Sequence, residues 1–332
     1  MKKSNKKIFH KAYSMIEMSL LILIIGILFA GAYQGFNIYN ETKLSSVRTL
    51  MQNSIISRIQ NLGIWYETAS ENSLENSEAE AGKAISVWFD HNSQQITKFN
   101  AYGAQNSNKD KFNYDPNKFF DNSGPIYFAK GIAGLPTLNF KNTNSSAKFL
   151  VVDPNFKFSK EDITIFTVLR FKNFENNAVI FDRVCMKSSG EVTYDNSLAV
   201  NECKPLISAR VNILGYPNLF IQNNDGSLTK STENTSFQIK KDVSYILTFE
   251  RIFNQSISLY QNGKLVSSNP ENLGEINFSA IKIGRGGTNP DQNVNSDFDL
   301  SEFIMVYGKL KNEHKAEIEN YLSKKYSIKL ER

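Results

Sequence analysis

The chain has 332 residues, with 38 Lys and Arg against 33 Asp and Glu and only two cysteines, a length that suits about two domains. Five cations (Lys2, Lys3, Lys6, Lys7 and Lys11) precede the first apolar run and equal the whole net charge of +5, so the remainder is near neutral. That balance leaves no basic excess to explain, and no nucleic-acid partner is expected for the rest of the chain.

Ala12-Tyr13-Ser14-Met15-Ile16-Glu17 opens the apolar run, which continues from Met18 to Tyr33 with Glu17 as its only charge. A carboxylate beside hydrocarbon costs on the order of 2 kcal/mol or more unless something pairs with it, so Glu17 calls for a partner. The run approaches the roughly 20 residues of a membrane span. Lysines before it and few after place the N-terminus in the cytoplasm and everything beyond about residue 35 outside it. Three simpler readings stand beside a processed anchor. One is a secretory signal peptide with Ala30-Gly31-Ala32 as its cleavage site, which releases a chain starting at Tyr33. The others are a plain uncleaved anchor and a buried core helix, which the flanking lysines disfavour.

From Asn37 the helical pattern continues. Leu44, Val47, Leu50, Met51, Ile55, Ile59 and Leu62 fall at spacings of three and four, with Lys43, Ser46, Arg48, Gln52 and Arg58 around the other face, and Gly63 is the expected stop. The predicted organisation is a leader (1–12), a membrane and assembly helix (13–36), an amphipathic stem helix (37–63), a polar linker (64–84) and a β-sandwich head (85–332).

A small residue, an aromatic, a short spacer, a glutamate and a long apolar helix together resemble the N-terminus of type IV prepilins and type II secretion pseudopilins, over residues 8–40. Ala12 stands where that family usually has glycine, and Tyr13 where it more often has phenylalanine. The resemblance implies that a prepilin peptidase cuts between Ala12 and Tyr13 and methylates the new amine. Glu17 then answers the Tyr13 amine of a neighbouring subunit. The implied partners are the peptidase, other pilin subunits and the inner membrane.

Beyond Ile85 the chain reads as short strands: Ile163–Phe171, Ala178–Val184, Leu206–Leu214, Ser244–Ile252, Ser256–Tyr260, Lys264–Ser267, Ile276–Ile283 and Phe298–Tyr307, with Asn262-Gly263 closing a hairpin. A helix from about Leu310 to Tyr326 follows, with Leu310, Ile318, Tyr321 and Leu322 inward. The fold class expected is a long N-terminal helix followed by an all-β sandwich or jelly roll with a C-terminal helix. Val87-Trp88-Phe89-Asp90, Gly131 to Phe140, Leu259 to Lys264 and Ser301 to Tyr326 together resemble the opening strand, glycine-led element, hairpin and closing elements of the concanavalin A-like, laminin-G-like family. That resemblance says little about activity.

His10, His91 and His314 are not at zinc-ligand spacing. Asp297, Asp299 and Glu302 are the carboxylates a glycosidase of this fold class would use, but alternation puts Glu302 on the face opposite Asp297 and Asp299. No catalytic role is expected. Asp182, Asp225, Asp291 and Asp297 are candidate Ca²⁺ ligands by the laminin-G-like resemblance, and Tyr194 and Tyr216 are candidate stacking platforms for a sugar. Cys185 and Cys203 form an even pair that reads as a disulfide outside the cytoplasm. It would pin an exposed loop that suits a contact surface. The expectation is a non-enzymatic pilin-like subunit carrying a lectin-like head, at a minor or tip position. The alternatives are a secreted or anchored glycan-binding module and a glycoside-active enzyme of the same fold.

Overall fold

A computed structural model describes residues 14–105, 124–142, 148–153, 158–159, 162–175, 178–183, 185–186, 192–193, 206–222, 228–230, 237–273, 277–278, 281–284 and 295–332. The chain divides between Ser46 and Val47 into two compact units. Helix α1 (Met15–Gln52) has 38 residues, about 57 Å at the usual rise. Its apolar side chains from Met15 to Phe36 are exposed, and the helix is long and apolar enough to cross a membrane.

The predicted stem is shorter than expected. Asn53 turns its side-chain amide back to the Thr49 carbonyl at 3.0 Å, a local bond that competes with continued helix, and α1 ends at Gln52. A 3₁₀ turn over Ile56–Arg58 follows. Asn61, with φ +62°, then reverses the chain. Ile56, Ile59 and Leu62 are buried in the second unit; their helical spacing in the sequence does not make a helix face.

The strands, in chain order, are β1 (Leu62–Glu67), β2 (Val87–Trp88), β3 (Ala101–Gln105), β4 (Ile126–Phe128), β5 (Thr137–Asn142), β6 (Lys148–Val152), β7 (Phe158–Ser159), β8 (Ile163–Glu175), β9 (Ala178–Arg183) and β10 (Cys185–Met186). They continue with β11 (Val192–Thr193), β12 (Leu206–Val211), β13 (Pro217–Gln222), β14 (Leu228–Lys230), β15 (Ser244–Ile252), β16 (Ser256–Gln261), β17 (Lys264–Pro270), β18 (Asn277–Phe278), β19 (Ile281–Ile283) and β20 (Asn295–Tyr307), before helix α2 (Asn312–Tyr326). One sheet runs β17-β16-β15-β8-β20-β5-β4, with β1 also on β20; the other runs β14-β13-β12-β9-β19-β6-β3-β2. The all-β sandwich with a C-terminal helix is therefore the fold.

The sandwich opens earlier than the sequence reading placed it. All six residues of β1 are buried, and β1 pairs with the second half of β20 while β5 pairs with the first half. The expected polar linker is packed structure instead. Glu67, Thr68, Ala69, Ser73 and Leu74 are buried, and the Thr68 hydroxyl donates to the Pro136 carbonyl at 2.6 Å. An edge left open on β20 would expose a row of unpaired amides, and β1 covers it.

The core fills the space between the sheets. Phe298 of β20 stacks on Phe140 of β5 and lies tilted against Phe171 of β8, with ring centroids 5.2 Å apart in each case. Phe181 of the second sheet meets Phe249 and Phe303 edge-on. The Asn262-Gly263 turn joins β16 to β17 with φ of +50° and +81°, the paired positive values that make this dipeptide a hairpin former. Residues 277–278 and 281–283 pair with different strands, so the single strand expected over Ile276–Ile283 is two. On α2, Ile318, Tyr321 and Leu322 are buried, as their spacing predicted, and Leu310 is half-buried.

Candidate functional site

Ala12 and Tyr13 lie outside the described residues. Glu17 is in the first turn of α1. Its carboxylate accepts from the Ser14 backbone amide at 2.9 Å, and the Ser14 hydroxyl accepts from the Ile16 amide at 3.2 Å. Ser14 and Glu17 thus cap the helix start together, a role for Glu17 inside its own chain that the sequence reading did not anticipate.

In the head, β20 carries the outward polar residues of the first sheet. Its register shifts between Leu300 and Glu302, a bulge that reverses the alternation of faces beyond it. Phe298, Leu300, Phe303 and Met305 all reach the core, so Asp297, Asp299 and Glu302 share the outer face. The expectation that Glu302 opposes the two aspartates is corrected: simple alternation fails at the bulge.

Glu302 is one corner of a buried ionic cluster beneath α2. Lys325 places its ammonium 2.8 Å from Glu302 and 3.3 Å from Glu67. The Trp65 indole donates to Glu302 at 2.8 Å, and the Tyr326 and Tyr321 hydroxyls donate to it at 2.9 and 3.2 Å. Glu67 also accepts from the Ala69 and Ser70 amides and from the Ser73 hydroxyl. Burial alone would raise the Glu67 pKa, but Lys325, His91, Ser73 and the Ala69 amide outweigh it and hold the carboxyl below its ordinary value. Burial, and then the neighbouring Glu302 charge, push the Tyr321 and Tyr326 hydroxyls well above the phenol range.

Ser73, His91 and Glu67 resemble a nucleophile, base and orienting acid only in composition. The same His91 nitrogen, Nε2, meets Ser73 at 3.2 Å and Glu67 at 3.4 Å, so the acid does not orient the base through its second nitrogen. Ser73 is buried. The cluster is a tie between β1, β20 and α2.

Towards β4 the outer face is accessible. Asn139 of β5 donates to Asp297 at 2.7 Å and to Asp299 at 3.0 Å. Asp299 is further held by Arg170 through Nη2 at 2.5 Å and Nε at 3.1 Å, and by Lys172 at 2.8 Å. Both cations are half-buried. The Lys172 ammonium lies 5.0 Å from the ring centre of Phe128, which is 38% exposed at the end of β4. An exposed ring beside two half-buried cations offers one apolar face and directional donors. Asp299 is the shared ion-pair partner of both cations.

Of the four aspartates considered for calcium, the two described ones lie in different sheets. Asp182 sits in β9 of the second sheet, where Arg210 contacts it at 3.2 Å, and Asp297 sits in β20 of the first. Asp225 and Asp291 lie outside the described residues. Among the described residues no three His, Cys, Asp or Glu side chains group as a metal site. Cys185 starts β10, which pairs with β11 in a short ribbon, while Cys203 and Tyr194 lie outside the described residues. Tyr216 is half-buried beside the β12–β13 turn.

The sequence reading missed Arg170, Lys172 and Asn139. Arg170 and Lys172 alternate with Leu169 and Phe171, but their meeting with Asp299 depends on the β8–β20 register, which the sequence does not carry.

No family model matches the chain, and no curated protein matches it. Solved structures share the fold. The receptor binding domain of botulinum neurotoxin D is 14% identical with a TM-score of 0.50, over 82% of this chain and 54% of that one. The binding domain of Paraclostridial Mosquitocidal Protein 1 is 14% identical with a TM-score of 0.48, over 80% and 52%. The botulinum neurotoxin serotype D ligand binding domain in complex with N-acetylneuraminic acid is 12% identical with a TM-score of 0.49, over 80% and 52%. The chain spans about half the length of these proteins. At this identity the likeness concerns the fold.

Proposed function

We propose that this chain is a pilin-like subunit, a minor pilin or pseudopilin, held in the inner membrane by α1 and carrying a non-enzymatic binding head. The observation that carries the reading is the length of α1. A signal peptide or plain anchor needs only about 20 residues, and a helix of 38 residues is about twice that. Glu17, the one charge of the apolar run, lies in its first turn, where a neighbouring subunit's freed amine would meet it. The N-terminus faces the cytoplasm and the head the periplasm until assembly into a filament. Sequencing the mature protein tests this. A chain beginning at a methylated Tyr13 supports it; a chain that begins at Tyr33, or keeps its lysines, overturns it.

The accessible face of the first sheet favours a second reading, an anchored or secreted glycan-binding module. Phe128 supplies a stacking ring, and the half-buried Arg170 and Lys172 supply donors that suit sugar hydroxyls or a carboxylate. A glycan array with and without calcium tests binding, and a hydrolysis screen separates a lectin from a glycoside-active enzyme.

A further inference from the structure

The turn between β12 and β13 is built unlike an ordinary surface turn. Its two central side chains are Ile213 and Leu214, 61% and 57% exposed, where polar residues and glycine usually stand. The turn is rigid. The Asn212 side-chain oxygen accepts from the Leu214 and Tyr216 amides at 3.0 and 2.9 Å. The Gly215 amide donates to the Asn212 carbonyl, and the Asn212 amide to that of Tyr216. Gly215, at φ +85°, has no room for a Cβ, which would stand 2.6 Å from the Ile239 carbonyl. The aliphatic pair is therefore held outward rather than free to fold back.

The segment beside it carries cations. Gln238 donates to the Leu214 carbonyl at 2.5 Å and the Ile239 amide to that of Gly215 at 2.8 Å, which fixes Lys240 and Lys241 next to the turn. Lys241 is braced at 2.9 Å from the Asn173 side chain. Lys240, Lys241 and Val243 are exposed, with Asp242 the one acid among them.

The position is also specific. β1 meets the Tyr307 end of β20, which faces Ile163 of β8. Ala178, just beyond the other end of β8, faces Val211 beside the turn. The turn therefore stands at the opposite end of the sandwich from Ile163 and the start of β1, about 40 Å along the 13 residues of β8.

We propose that this turn is a lipid-contacting tip, with Ile213 and Leu214 entering the acyl boundary of a membrane and Lys240 and Lys241 meeting its anionic headgroups. A convex tip of two aliphatic side chains is far smaller than the roughly 800 Å² per partner of a standard protein interface, and a fluid surface closes around it where a rigid one does not. The lysines oppose docking of a second copy by like charge and complement phosphate-rich lipid. The inference does not depend on processing at Tyr13.

The test uses the full chain held through α1 in phosphatidylcholine nanodiscs, and measures capture by separate vesicles with and without phosphatidylserine. Phosphatidylserine is expected to raise capture about tenfold. The Ile213→Ser, Leu214→Ser double variant is expected to lose most of that capture, and Lys240→Glu with Lys241→Glu its dependence on phosphatidylserine, both with an unchanged melting temperature. Capture no better than that of empty discs overturns the proposal, as does undiminished capture of the serine variant. Association of discs with one another without vesicles, abolished in the serine variant, assigns the turn to a second copy and also overturns it.

Discussion

Lys325 ties α2 to β20 through Glu302, 2.8 Å away, with both side chains excluded from water. Two carboxylates, Glu67 and Glu302, share that one ammonium. Removing the cation leaves two buried acids that no other lysine pairs among the described residues. Lys325→Met is therefore expected to destabilise the head by about 3–5 kcal/mol, read by chemical unfolding. Adding Glu302→Gln to Lys325→Met should recover part of the loss, because the remaining acid then faces fewer like charges. Equal stability of wild type and the single variant would show that the tie contributes nothing.

Acid should loosen the same cluster in two stages. Burial holds the His91 pKa below its ordinary 6.5, while Glu67 pulls the other way. The unfolded chain therefore takes up the proton first, and stability falls as pH drops below about 6.5. Glu67 is also depressed, from 4.5, so its contribution is present above that value and is lost as pH falls through the lower folded value. His91→Gln should flatten the first stage and, because His91 helps to hold the Glu67 carboxyl down, shrink the second without removing it. Melting temperature against pH for the two proteins checks this; parallel curves between pH 5 and 7 would remove His91 from the account.

The pieces legible in the sequence were those that local chemistry decides. The Asn262-Gly263 turn, the inward Ile318, Tyr321 and Leu322, and β15 at Ser244–Ile252 follow from residue type and period. What failed depended on partners far along the chain. Ile59 and Leu62 continue a helical spacing, yet Leu62 faces Val306 in a sheet. Acidic, serine-rich composition made Glu67 to Ala84 look solvated, but Glu67 is buried because Lys325, distant in sequence, neutralises it. The bulge at Glu302 shifts a face by one residue and has no compositional mark, so the shared side of Asp297, Asp299 and Glu302 was out of reach.

The accessible patch gives its own test. Phe128 is 38% exposed and sits at the end of β4, so Phe128→Ala should leave the melting temperature within about 1 °C, as expected of an exposed site. If the ring is a stacking platform, the variant loses about tenfold in affinity for whichever saccharide the intact protein captures. Asp299→Asn is the opposite case. It strips the partner from Arg170 and Lys172 and should lower stability as well as binding. Titration calorimetry with thermal melts separates the two, and unchanged affinity in Phe128→Ala would remove the patch from the glycan reading.

The capping role of Glu17 and the assembly role proposed for it are pulled apart by different substitutions. Its carboxylate caps the Ser14 amide, and on the pilin reading its charge also meets the Tyr13 amine of the next subunit. Glu17→Gln keeps an oxygen for the amide and loses the charge; Glu17→Ala loses both. Capping is worth about 1 kcal/mol, small beside the cost of leaving a buried amine unpaired. Both variants should therefore still be cut before Tyr13 and both should fail to enter filaments, with glutamine failing nearly as badly as alanine. The measure is the ratio of processed protein in the membrane to that in sheared filaments. Normal incorporation of Glu17→Gln would mean that the helix start, and not an intersubunit charge, is what this residue serves.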